Sequence, residues 1–173
     1  MKKRGFTLIE LLVVIAVIGI IAIIVLASLG SARKKARDAV RLTDMRTIQT
    51  ALELYFETFG QYPIYDNTGC AGWDTGNQLY PLLQDKLTQI DSHPLPVDPT
   101  GKVACSGYYY YRYPAGQMSC PANKGAFYVL GIKDMESSGN PHPSNPGFKC
   151  GIRNWQNEME YFEWVTGKFS ADH

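Results

Sequence analysis

Net charge is nearly absent from this chain: 17 Lys and Arg against 16 Asp and Glu leave +1 over 173 residues. A protein that holds nucleic acid electrostatically needs a clear excess of cations, so no specific nucleic acid is expected. Catalytic signatures are lacking as well. There is no nucleophile elbow, no phosphate-binding glycine loop and no metal-binding helix motif. His93, His142 and His173 stand far apart. No Cys-x-x-Cys occurs and no histidine pair lies near the cysteines, which leaves a zinc site without a ligand set. The chain reads as something other than an enzyme, with no catalytic residue and no metal ligand to name. From Phe6 to Leu29, ionisable side chains are missing save one, Glu10.

That last absence is the informative one. At about 1.5 Å per residue, Phe6–Leu29 makes a helix of roughly 36 Å, enough for a hydrocarbon core of about 30 Å. The run is too long for the h-region of a cleaved secretory signal, although Ala27 to Ala32 offers imperfect small-residue sites. A plain signal anchor is the simpler alternative. A lone carboxylate at the centre of a bilayer costs roughly 3 kcal/mol, so Glu10 either snorkels to the headgroups or has a partner.

The flanking residues favour a partner. Lys2-Lys3-Arg4-Gly5 followed by Phe6-Thr7-Leu8-Ile9-Glu10 resembles the prepilin signature of type IV pilins and the related pseudopilins of type II secretion. The resemblance implies cleavage after Gly5 by a membrane prepilin peptidase, N-methylation of the new terminal residue Phe6, and a role for Glu10 in neutralising a neighbouring subunit's amine. Glu10 would thereby set register during assembly. The resemblance continues along the apolar segment to Gly19, but Ala27 stands where many relatives have a helix-melting proline. Melting is then expected near Gly30-Ser31 or not at all. Cations on both sides of the span (Lys2 to Arg4, then Arg33, Lys34, Lys35 and Arg37) leave the positive-inside rule indecisive. A cytoplasmic leader and an exported head are what the resemblance implies.

Beyond the span, Ser31–Phe59 continues without proline. Ile48, Ala51, Leu52, Tyr55 and Phe59 recur at helical spacing, with Val40 on the same side. Arg41, Asp44, Arg46 and Glu53 fall on the polar remainder. Gly60 and Pro63 end the helix. Tyr62-Pro63, and Leu95-Pro96-Val97-Asp98-Pro99-Thr100-Gly101, resemble features of the major pseudopilin class. Asn77–Ile90 reads as a second, short helix. Gly107–Tyr113, with five tyrosines, and Ala126–Ile132 read as strands whose alternate side chains divide between core and surface. A sharper reading makes the tyrosines a sticky strip for a host surface, a sugar or a neighbouring subunit. The tail is ambiguous: Ile152, Trp155, Met159 and Phe162 have helical spacing, while Glu160–Val165 suits a last strand.

The expected fold is α+β, a long N-terminal helix packed on a small antiparallel sheet, as in the pilin fold. Residues 1–5 form the leader, 6–29 the membrane and fibre-core helix, 30–59 its amphipathic half, and 60–173 the head. Cys70, Cys105, Cys120 and Cys150 imply two disulfides in an exported domain, with three pairings open. No cofactor is expected; calcium, which major pseudopilins often hold, finds only Asp134, Glu136 and Gly139, without regular ligand spacing. The function implied is a filament subunit of a type IV pilus or secretion pseudopilus. It would reside in the bacterial cytoplasmic membrane before assembly and in an extracellular pilus or periplasmic pseudopilus after it. Its partners would be further copies of itself, the prepilin peptidase, a membrane platform and an ATPase motor. A minor or tip subunit binding DNA or a surface, and an exported domain that never polymerises, are the alternatives.

Overall fold

One helix, α1, runs unbroken from Leu8 to Phe59, about 78 Å at helical rise. The computed structural model describes residues 5–64, 73–75, 85–87, 94–101, 107–133, 135–137, 139–158 and 162–172. Cys70, Cys105, Asp134, His93, His173 and most of the expected helix Asn77–Ile90 lie outside them, although Asp85–Leu87 is helical. Leu-, Ile- and Ala-rich sequence free of proline sustains α1 straight through Gly30. It stops at Gly60, which adopts the left-handed conformation (φ 67°) and donates its N–H to the Phe56 carbonyl. A side chain with a Cβ is strained in that conformation.

The head presents a sheet in the order β1 (Asp74–Thr75), β2 (Gly107–Tyr113), β3 (Phe127–Lys133) and β6 (Trp164–Phe169), antiparallel throughout. Between β3 and β6 lie the hairpin strands β4 (Lys149–Cys150) and β5 (Arg153–Asn154), then the short helix α2 (Trp155–Glu158). The tail ambiguity thus resolves into both elements: a single helical turn from Trp155 and a strand from Trp164 to Phe169, while Met159 and Glu160 lie outside the described residues.

Strand alternation sorts the side chains onto two faces. Tyr108, Tyr110, Tyr128, Leu130, Ile132 and Trp164 pack with Met45, Ile48 and Leu52 of α1. Tyr109, Tyr113, Phe127, Val129, Val165 and Phe169 pack with Trp73, Trp155 and Phe162 on the other side. The expected split of tyrosines between core and solvent is therefore incorrect. Four of the five are buried and Tyr111 is half-buried against Trp73, because loops and the C-terminal segment cover the face away from α1. Gly131 makes room there, since a Cβ would sit 2.6 Å from the Phe162 ring.

The stripe on α1 also needs correction. Ile48 and Leu52 are buried, but Val40 and Phe59 are exposed. The buried line extends the other way, through Met45 and Arg41 to Asp38. Val40 is one residue, hence about 100° of turn, away from Arg41. Phe59 stacks on Tyr55, 4.5 Å between centroids, beyond the covered part of the helix.

Cys120 and Cys150 are disulfide-bonded across a sequence separation of 30. The bond ties the loop after β2 to the β4–β5 hairpin. Closing a loop of that size contributes roughly 3–4 kcal/mol by chain-entropy arithmetic.

Candidate functional site

The chain divides at residue 37. Every large apolar side chain from Phe6 to Leu29, 17 in all, is exposed, and the span has none of its residues covered by the head. Soluble monomers do not leave apolar patches of this size uncovered. The membrane-length helix therefore projects from a head that contributes nothing to hiding it.

At its start, Gly5 and Phe6 lie in exposed non-helical backbone, the form a peptidase can bind. Thr7 is the N-cap, with extended backbone (φ −85°, ψ 152°). Its hydroxyl accepts from the Glu10 N–H at 3.3 Å, and Glu10 Oε2 accepts from the Thr7 N–H and hydroxyl, both at 2.8 Å. This reciprocal capping box satisfies donors that a helix start leaves open. Glu10 thus has a local partner that the reading of Glu10 by itself missed. The signal was in the sequence: Thr-x-x-Glu directly before an apolar run. The bonds from Thr7 go to Oε2; Oε1 has no partner among the described residues, and the carboxylate lies in the first turn, where the helix dipole favours an anion.

Where α1 enters the head, ionic groups take the place of hydrocarbon. Arg41, expected on the polar face, has no solvent-exposed surface, while Asp38 and Asp98 are 2% and 8% exposed. Arg41 grips Asp98 with two hydrogen bonds (Nε to Oδ2 2.8 Å, Nη2 to Oδ1 3.2 Å) and Asp38 with a third (Nη1 to Oδ1 2.7 Å). Nη1 also lies 3.0 Å from Glu136, whose carboxylate takes two further bonds from Arg37. Asp38 accepts from the backbone N–H groups of Glu136 and Ser137 and from the Ser137 hydroxyl. Asp98 accepts from the Thr100 N–H and hydroxyl, forming the turn that the Asp98-Pro99 sequence announced. This clasp fastens α1 to loops 94–101 and 135–137. It consists of three carboxylates and two guanidinium groups, with the Thr100 and Ser137 hydroxyls bonded to two of the carboxylates. Glu136, weighed as an oxygen ligand for calcium, is instead bound by two arginines. Sequence reading missed Arg41 because a charge at stripe spacing is indistinguishable from a solvated one until its partners are placed.

The clasp has a definite pH dependence. Burial alone would raise the carboxyls of Asp38 and Asp98, but hydrogen bonds from Ser137, Glu136, Arg41 and Thr100 outweigh it and hold both below the usual range. Glu136 is held at about 2, first by Arg37 and also by Arg41. Asp44 is shifted oppositely: burial pushes it up despite the Tyr108 hydroxyl that donates to it. A carboxyl depressed in the folded state stabilises above its unfolded pKa, and that stability drains as pH falls through the folded value. Three depressed carboxyls against one raised predict a head that weakens on acidification from about pH 4.5 toward 2. Denaturant midpoints at a series of pH values check this. Glu136→Gln should be less stable at neutral pH with a shallower acid slope; a wild-type midpoint flat over that window would refute the assignment.

Residues 1–26 match the family model of the prokaryotic N-terminal methylation motif, the class III signal of type IV pilins and pseudopilins. No curated protein and no solved structure matches the chain.

Proposed function

We propose that this chain, carrying that motif at the head of an uncovered apolar helix, is a structural subunit of a type IV pilus-like or secretion pseudopilus filament. It is cut after Gly5 by a prepilin peptidase, methylated on Phe6 and held in the membrane by Phe6–Leu29. Further copies of the chain then replace lipid around that segment. The observation that carries this reading is the 17 exposed apolar side chains projecting from a head that is already packed on both faces of its sheet. A membrane covers such a helix, and so does a bundle of identical helices. Ala16, Gly19 and Ala22 lie at three-residue spacing on one side, and the space around Gly19 is open, which lets another helix approach closely. A membrane platform and an ATPase motor would drive assembly.

Glu10 serves in this account as the registering charge, its free oxygen accepting the methylated amine of an adjacent subunit. No catalytic role is proposed for any residue. The head is of the kind found in the major pseudopilin class, on the strength of Tyr62-Pro63 and the Asp98-Pro99 turn. The tip-adhesin alternative loses one support, because the tyrosine run is mostly core.

The mature terminus tests the reading. Mass spectrometry of the chain from its native membrane should find it beginning at Phe6 with one added methyl group. A chain that begins at Met1, or one cut among Ala27–Ala32, would overturn the assignment.

A further inference from the structure

Between the membrane span and the clasp, α1 is a bare neck. Residues 30–36 are exposed, and the head first touches the helix at Arg37 and Asp38, through Glu136 and Ser137. Arg33, Lys34 and Lys35 lie in this neck, and among the described residues no ion pair holds them. Arg37, the fourth cation of the run, is turned inward to Glu136. Three consecutive helical positions point in directions roughly 100° apart, so the three cations spread over an arc of about 200°. A single acidic protein surface could meet one or two of them, but a surrounding layer of anions meets all three.

Their depth agrees with such a layer. Counting from Leu29, they lie roughly 6–9 Å along the axis, and the polar zone of a bilayer leaflet is about 5–8 Å deep beyond the hydrocarbon. Long Lys and Arg side chains lay their methylenes along apolar surface and place their charge among phosphates. We infer that Arg33, Lys34 and Lys35 form a collar that binds anionic phospholipid headgroups on the exported side of the membrane. The collar anchors the subunit at fixed depth until it is extracted. This rests on the membrane-stored subunit described above. It adds a lipid preference that the apolar span by itself does not confer, because hydrocarbon does not distinguish headgroup charge.

The test is headgroup selectivity. Full-length chain is reconstituted in vesicles of phosphatidylcholine with about one-third phosphatidylglycerol, and spin-labelled lipids report the composition of the shell around the helix. Wild type should favour phosphatidylglycerol over phosphatidylcholine by about two- to fivefold. The preference should fall clearly in the Arg33→Gln, Lys34→Gln, Lys35→Gln triple variant and be lost in both chains at about 1 M salt, where the Debye length is roughly 3 Å. The leader's Lys2, Lys3 and Arg4 are identical in both chains, so the difference between them belongs to the collar. Equal selectivity in wild type and variant overturns the collar while leaving the membrane reading intact. Chain stripped from the vesicles by alkaline carbonate overturns the membrane reading itself, and the collar with it.

Discussion

Glu10→Ala should abolish filaments while leaving the chain in the membrane and still cleaved after Gly5. The carboxylate lies in the first turn of a helix that has no other ionisable side chain as far as Leu29. In an assembled bundle, the amine of the next subunit would be buried against it. Removing one partner of a buried charge pair costs roughly 3–5 kcal/mol, because the other charge is left without compensation. At 1.4 kcal/mol per factor of ten, that lowers each subunit-addition equilibrium by roughly a hundredfold to several thousandfold. Elongation repeats the loss at every step, so filament yield should fall below detection.

Glu10→Gln separates the helix cap seen in the structure from the registering charge proposed above. Glutamine completes a capping box as glutamate does, so the helix start survives, but it carries no charge. Loss of filaments in both variants, measured by shearing and immunoblotting against total membrane chain, points to the charge. Normal filaments from Glu10→Gln would show that the cap matters and the charge does not, and the registering role would be withdrawn.

The second large effect is on the head. Arg41→Ala should destabilise it by about 3–5 kcal/mol, a large part of the 5–15 kcal/mol that folded domains typically possess. The guanidinium is fully buried and bonds to Asp38 and Asp98, both nearly without solvent. Truncation leaves these two carboxylates facing each other with only Ser137, Thr100 and backbone N–H groups to hold them. Arg41→Lys keeps the charge but not the two-pronged grip on Asp98, so a smaller loss is expected. Fluorescence of the buried Trp73, Trp155 and Trp164 in detergent-solubilised protein follows unfolding of the head, and urea midpoints give the difference. A change under about 1 kcal/mol for Arg41→Ala would mean that the clasp is ornamental. The membrane span should stay inserted in either variant, because nothing in the head covers it.

What could be read ahead of the structure follows a simple physical division. The end of α1 at Gly60 and the two central strands depend on local composition and periodicity, and they stand where the sequence placed them, with β3 one residue later than expected. The Thr7–Glu10 box was equally local and equally legible, though overlooked. Arg41 was misread because, besides Asp38 one turn away, its partners lie 57 residues downstream at Asp98 and 95 downstream at Glu136, and no local rule links such distant loops to one helix turn. The tyrosines were misread for the same reason. Alternation predicts which side chains share a face, but not whether a second layer covers it.

A membrane-length helix led by a methylation motif is legible in the residues alone, because hydrophobic length and a short signal are properties of contiguous residues. The folded arrangement was needed to establish that the head hides both faces of its sheet and locks α1 through a buried arginine. It also decided that Arg37 is taken up by that lock while Arg33, Lys34 and Lys35 remain outside it. Burial and ion pairing arise where distant segments meet, and that meeting separates Arg37, paired with Glu136, from Arg33, Lys34 and Lys35, which hold no ion pair among the described residues.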